Sequence, residues 1–217
     1  MSGLTDNLDS IADRLRQSLT AIDQAREKAL PLSREVIRHC SRAIRAMHRQ
    51  EFDQAKELLQ SAQKLLKEAD QTVANYNELN HAGFILDAQK EFAEGSTLLA
   101  MVTGQQLPQP DELGIDSAAY LNGLGEAVGE LRRYLLDNMR KGDLSRCEEL
   151  LSAMDDIYNT LVTIDFPDTI TGGLRRTTDM VRGVLERTRS DLTLVIRQKD
   201  LENSLEKFEG NLQQKGG

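Results

Sequence analysis

Apolar residues recur every three or four positions along most of the chain. Between Leu8 and Ala29 they fall at Leu8, Ile11, Leu15, Leu19, Ile22 and Ala25, which is one face of a helix with about 3.6 residues per turn. The same period continues to about Gln50, with Pro31 between the two stretches. A proline inside a helix removes one ladder hydrogen bond and crowds the preceding turn, so a kink or short break is expected there. Phe52 to Leu79 carries Leu58, Leu59, Leu65, Leu66 and Val73 among many charges and predicts a long amphipathic helix. Asn80 is placed to cap a fourth helix over His81 to Thr103, which Gly104 closes ahead of the loop Gln105 to Pro110. Asp116 or Ser117 caps a fifth helix to about Lys141, Gly142 closes it, and Asp143 caps a sixth to about Thr163. Pro167 interrupts the chain, and a last helix from about Thr169 to Phe208 passes through Gly172-Gly173. No segment reads as a strand or a repeat. The pattern predicts an all-α fold, a single domain of about seven helices over residues 1–209, with residues 210–217 a polar, disordered tail.

Composition sharpens this picture. In 217 residues, aromatic side chains make up 4%, tryptophan is absent and prolines number four, which rules out an all-β fold and favours helix. No run approaches the roughly 18 uncharged apolar residues of a membrane span. The opening Met1-Ser2-Gly3-Leu4-Thr5-Asp6 lacks the basic and apolar regions of a signal peptide. Cys40 and Cys147 show no CxxC or Cys/His ligand spacing. Reduced thiols in a cytoplasmic protein that does not contact membrane are therefore expected.

Charge is unevenly distributed. The net charge is −8, yet residues 32–49 hold five arginines against the single acid Glu35, so this stretch carries +4 and the remainder −12. Arg34, Arg38, Arg42, Arg45 and Arg49 fall within an arc of roughly 80°, a ridge about 25 Å long. Val36, Ile37, Cys40, Ala43, Ile44 and Met47 occupy the other side. Such a ridge is either a solvated face that pairs with acids on a neighbouring helix or a surface for a polyanion, since guanidinium matches phosphate oxygens bidentately. His39 and His48 lie nearby without metal-ligand spacing and are given no catalytic role.

The acids form two pairs. Glu91 and Glu94 share a helix side with Phe84, Ala88, Gly95, Leu98 and Val102, where two carboxylates would repel unless a cation lay between them. Glu126 and Glu130 sit away from Leu121, Leu124, Val128, Leu131 and Leu135, with Gly123 and Gly129 nearby to let another backbone or a ligand approach. Arg133 and Asp137 follow at helical spacing, so an exposed row of ion pairs explains this second pair equally well. Four carboxylates from two helices would suit one or two hard cations. The Glu-x-x-His of carboxylate-bridged di-iron bundles is absent, as are GxGxxG, P-loop, nucleophile-elbow and HExxH patterns.

These segments resemble the translin family, and within it the TRAX-type subunit, over most of the chain. Leu32-Ser33-Arg34-Glu35 with Arg42, Ile44 and His48-Arg49 is similar to the family's basic helix. Tyr120-Leu121-x-Gly123 with Gly129-Glu130-Leu131-x-Arg133 is similar to its most recognisable segment, and Gly142-Asp143, Leu174-Arg175-Arg176 and Asp191-Leu192 with Arg197 extend the match. The resemblance implies that Glu91, Glu94, Glu126 and Glu130 correspond to the acidic set that binds metal for RNA cleavage in TRAX-type proteins and that translin lacks. Glu126 stands where relatives often carry aspartate, which keeps the charge and lengthens the arm. Also implied are a seven-helix protomer and a hollow homo-octamer of prokaryotic type with RNA inside.

The expected function is a Mg²⁺- or Mn²⁺-dependent endoribonuclease. Glu91, Glu94, Glu126 and Glu130 would hold the metal, and Arg34, Arg38, Arg42, Arg45 and Arg49 would hold the RNA backbone. The competing readings are a non-catalytic, translin-like shell for RNA or single-stranded DNA, and a helical scaffold whose arginines meet a protein partner's acids.

Overall fold

The computed structural model describes residues 4–215, with side chains described to Asn211. Among the described residues the chain is helical throughout, with no strand: α1 (Leu8–His48), α2 (Phe52–Val73), α3 (Asn77–Asn80), α4 (Gly83–Thr103), α5 (Pro110–Leu113), α6 (Ser117–Arg140), α7 (Cys147–Val162), α8 (Asp168–Thr171) and α9 (Leu174–Lys215). Three of these, α3, α5 and α8, are single turns. The chain divides into two compact units, residues 1–123 and 124–217, with the division inside α6.

In the first unit α1, α2 and α4 pack on one another. The seam of α2 is a heptad pattern in which Ala55, Leu59, Ala62, Leu66, Ala69 and Val73 are all buried. On α1 the buried positions Ala25, Ala29, Ser33, Val36, Cys40, Ala43 and Met47 follow the same spacing. Alternating alanine with larger residues lets two long helices lie close together along their length.

This seam accounts for the first departure from expectation: α1 runs unbroken through Pro31. Pro31 is exposed, so its ring projects into solvent and the helix forfeits little beyond one ladder bond. Ala25 and Ala29 before it and Leu32 after it join one cluster with Ala69, Val73 and Ile85. Burial on both sides of the proline therefore holds the helix direction. The two expected helices merge, leaving six long helices instead of seven.

Other boundaries shift for local reasons. α2 ends at Val73 and not at Leu79, and Tyr76 turns extended before the single turn α3. Asn75, Asn77 and Asn80 crowd this connection, and their side chains compete with helical hydrogen bonds. Extended Ala82, not Asn80, precedes α4. The expected loop after Gly104 contains α5, opened by Pro110 and a reciprocal capping box between Gln109 and Glu112. Asp116 does cap α6, accepting from Ala118 N at 2.7 Å.

In the second unit α7 packs on α9. Asp143 does not cap α7 directly; its Oδ1 accepts from Ser145 N at 3.0 Å and Ser145 Oγ at 2.7 Å, and the helix starts at Cys147. The last helix does not pass through Gly172-Gly173. Both adopt positive φ, 62° and 85°, a left-handed pair that ends α8 and delays α9 to Leu174. At its far end α9 continues to Lys215, so residues 210–215 are helical where a disordered tail was expected. The helix formers Leu212, Gln213, Gln214 and Lys215 outweigh the single Gly210. The remaining tail residues, Gly216 and Gly217, lie outside the described residues. No helix among the described residues is long and apolar enough to cross a membrane.

Candidate metal centre and arginine ridge

α4 is buried on almost every side, through Ile85, Ala88, Gln89, Phe92, Ala93, Thr97, Leu98 and Val102. An acid at its middle is therefore forced inward. Glu94 is 9% exposed and Glu91 is half-buried. Cys40, on the buried face of α1, registers both acids: burial first, and then the charges of Glu91 and Glu94, push its thiol far above its ordinary range.

α6 meets α4 at Gly123. A Cβ there would fall 2.6 Å from Ala93 Cβ and 3.0 Å from Glu94 N, and against the carbonyl oxygen of Lys90. The expectation that Gly123 admits another backbone holds. Gly129 shows no such neighbour, since nothing lies within 4 Å of its Cβ position. Residues 122–125 of α6 are buried throughout, so Glu126 is half-buried and does not lie on the open face its spacing from Leu124 and Val128 predicted.

One carboxylate oxygen from each of Glu91, Glu94 and Glu126 lies within 4.8 Å of the other two. The fourth acid of the expected set, Glu130, is outside this group and has Arg133 Nη1 at 3.8 Å from its Oε2. A donor set of three carboxylates, hard and anionic, fits a hard divalent cation such as Mg²⁺ or Mn²⁺ better than zinc, which favours nitrogen and sulfur. Spacing of this order lets three oxygens share one ion.

The arginine ridge is present as expected. Arg34, Arg38, Arg42, Arg45 and Arg49 are all exposed, and Arg49 sits at the C-cap of α1. Arg38 pairs with Glu35 at 2.6 Å and Arg49 with Glu51 at 2.7 Å, both local pairs. Arg34, Arg42 and Arg45 have no carboxylate partner among the described residues. Among the described residues, no acid of a neighbouring helix pairs with these three arginines.

No protein-family model matches the chain. An uncharacterized protein of Methanocaldococcus jannaschii is 31% identical over 194 residues, covering 88% of this chain and 86% of that protein. The structure of AfC3PO in complex with duplex RNA superposes with a TM-score of 0.80 at 31% identity, over 86% of this chain and 97% of that one. The chain belongs to the C3PO (translin) family. The crystal structure of AfC3PO matches with a TM-score of 0.79 at the same identity and coverage. NeC3PO, at 18% identity and a TM-score of 0.75 over 89% of this chain, shares the fold.

Within this C3PO-type fold all five arginines are exposed on α1, and three of the four glutamates singled out from the sequence lie close together. It missed Cys40 as a neighbour of the acids, because nothing in the spacing of α1 tells which helix covers that face.

Proposed function

We propose that this C3PO-family chain is a metal-dependent endoribonuclease of the TRAX type, binding RNA along the arginine ridge of α1. The observation that carries the reading is the convergence of Glu91, Glu94 and Glu126 within 4.8 Å. AfC3PO, to which this chain is similar over most of its length, has been crystallised with duplex RNA, which supports RNA as the ligand.

Glu91 and Glu94 from α4 and Glu126 from α6 would hold the ion, with Glu130 one turn further along. A bound Mg²⁺ or Mn²⁺ supplies a Lewis acid that polarises a phosphodiester oxygen and makes water a competent nucleophile near neutral pH. The chain's own part is positional. Burial restricts the Glu94 side chain. The arginines grip phosphates at fixed spacing without reading bases, which orients the backbone and tolerates many sequences.

A homo-oligomer, octameric by the family resemblance, accords with two apolar stripes left exposed on the chain. These are Leu8, Leu15 and Leu19 on α1, and Leu194, Leu201, Leu205 and Phe208 on α9. Light scattering on the purified chain reads this directly, and a monomer would exclude the shell.

The deciding experiment is cleavage of labelled single-stranded and duplex RNA in Mg²⁺, Mn²⁺ or EDTA, comparing wild type with Glu91→Gln and Glu126→Gln and measuring binding in the same samples. Metal-dependent cutting that both variants lose while retaining binding establishes the nuclease. Binding without cutting by the wild type assigns the chain to the non-catalytic shell instead.

A further inference from the structure

We infer that Gln50 is an RNA-contact residue that recognises a ribose 2′-hydroxyl at the end of the arginine ridge and so makes the ridge prefer RNA to DNA. This rests on the ridge reading above and extends it to an uncharged residue in the turn between α1 and α2.

Gln50 has a φ of 63° and is the one residue other than glycine with positive φ among the described residues. It follows the C-cap of α1, where Gln50 N donates to Met47 O and Glu51 N to Ala46 O, both at 2.9 Å. This helix end with its two paired bonds favours glycine, because a side chain in the left-handed region crowds the following carbonyl oxygen. The chain obeys that preference elsewhere. α4 and α6 end on the same two bonds with Gly104, at φ 70°, and Gly142, at φ 78°, in the corresponding place. Asparagine and aspartate offset the strain through local hydrogen bonds. The Gln50 amide, by contrast, is exposed and makes no hydrogen bond among the described residues. Nothing among them accounts for a side chain at this position, and strain held at a binding surface points to a role in binding.

The surroundings name the ligand group. Arg49, immediately before Gln50, is the last guanidinium of the ridge, and it donates from Nε at 2.9 Å and from Nη2 at 2.7 Å to Oε2 of Glu51, immediately after. The turn thus presents a neutral amide beside the final phosphate-binding group. A guanidinium grips phosphate, which RNA and DNA share, so the five arginines do not tell one from the other. An amide donates from its nitrogen and accepts at its oxygen, and a ribose 2′-hydroxyl does both in return. That hydroxyl is the group by which a protein distinguishes RNA from DNA. Because Gln50 is uncharged it displaces no counterions, and its contribution does not depend on salt.

The test is binding of one single-stranded sequence made as RNA, as 2′-O-methyl RNA and as DNA, in EDTA at several salt concentrations. The proteins are wild type, Gln50→Gly, Gln50→Ala and Arg42→Ala. Wild type should favour RNA over both other strands. Gln50→Gly and Gln50→Ala should each lose RNA affinity by about three- to tenfold, the scale of one net hydrogen bond, while keeping their affinity for DNA and the wild-type salt slope. Gln50→Gly should also unfold at a higher urea concentration than wild type, and Gln50→Ala should not, since only glycine relieves the left-handed strain. Weaker RNA binding in a more stable chain separates a contact from a structural role. Equal affinities of wild type for RNA and DNA overturn the inference, as does an RNA-to-DNA ratio that both Gln50 variants leave unchanged. RNA affinity that Arg42→Ala leaves unchanged overturns the ridge reading itself, which is a separate outcome.

Discussion

Arg38 Nη1 donates to Glu35 Oε1 at 2.6 Å, one turn back on the same exposed face of α1. Both side chains are well exposed, so the pair is worth only a few tenths of a kcal/mol up to about 1 kcal/mol, and a phosphate readily displaces it. Among the described residues Arg34, Arg42 and Arg45 have no carboxylate partner, which leaves the ridge open to a polyanion. Replacing Arg42 with alanine should weaken RNA binding to a similar degree for every sequence and lower the slope of log K against log salt by about 1. Arg38→Glu combined with Arg42→Glu should abolish binding. Because Arg38 pairs only with the exposed Glu35, the free energy of unfolding should move by no more than about 1 kcal/mol. Binding titrations at four salt concentrations check this, and an unchanged slope would return the ridge to a protein partner.

How legible the molecule is from its sequence depends on what kind of physics each feature obeys. The period of Leu59, Leu66 and Val73 announces α2. The alanines that interleave with them, Ala55, Ala62 and Ala69, carry little hydrophobic signal alone and emerge as seam residues only when α1 lies against them. Pro31 reads locally as a break because its cost is local, whereas the burial of Ala29 and Leu32 that outweighs it is tertiary. Gly172-Gly173 shows the reverse: the surrounding periodicity predicts a helix through both glycines, yet their positive φ ends one. Glu91 and Glu94 are paired by helical spacing, which sequence reports well. That Glu126 joins them while Glu130 lies outside depends on how two helices are seated, and here the glycine at 123 was the one available clue.

Glu94 offers a test of the acidic cluster that needs no RNA. One carboxylate oxygen from each of three glutamates lies within 4.8 Å of the other two, a donor set that a divalent cation would bind in the folded chain and not in the unfolded one, and Glu94 is the most buried of them. Wild type should gain about 2.7 kcal/mol when Mn²⁺ is present at 100 times its dissociation constant, and Glu94→Gln should gain almost nothing. Differential scanning calorimetry with and without Mn²⁺ reads both effects. A wild type whose midpoint Mn²⁺ does not raise would mean that the cluster holds no ion.

Cys40 gives the same neighbourhood a pH signature. Its thiol is pushed up from an ordinary 9.0 by burial and then by Glu91 and Glu94, so it stays protonated in the folded chain where the unfolded chain ionises. A group whose folded value is raised contributes stability fully below the unfolded value and loses it as pH climbs. Stability should thus fall from about pH 9 upward. Cys40→Ala should flatten that fall relative to wild type in urea melts between pH 8 and pH 10. Native Cys40 should also resist a disulfide reagent at pH 8, where the thiol of an unfolded chain reacts readily. Rapid labelling of the native chain would mean that α1 opens away from the acids.

In the second unit Arg132 on α6 donates from Nη2 to Asp191 Oδ2 at 2.7 Å and from Nη1 to Thr188 Oγ1 at 3.0 Å, both on α9. Arg132 is 21% exposed and Asp191 40%, so solvent screens the pair in part and its worth is well below that of a dry ion pair. Thr188, by contrast, is fully buried, and its hydroxyl also donates back to Val184 O at 2.7 Å, leaving its oxygen to accept from the guanidinium. Removing Arg132 deprives Asp191 of its partner and Thr188 of a donor at once, whereas Asp191→Asn removes charge and keeps a hydrogen-bond acceptor. Arg132→Ala should cost about 2 kcal/mol in urea unfolding, and Asp191→Asn about 1 kcal/mol or less. In a double-mutant cycle with Asp191→Ala the two sites should couple by at least about 0.5 kcal/mol. Additive losses would mean that α6 is held against α9 by the apolar packing around Gly125, where Leu161 and Val181 close in, and that the ion pair only decorates it.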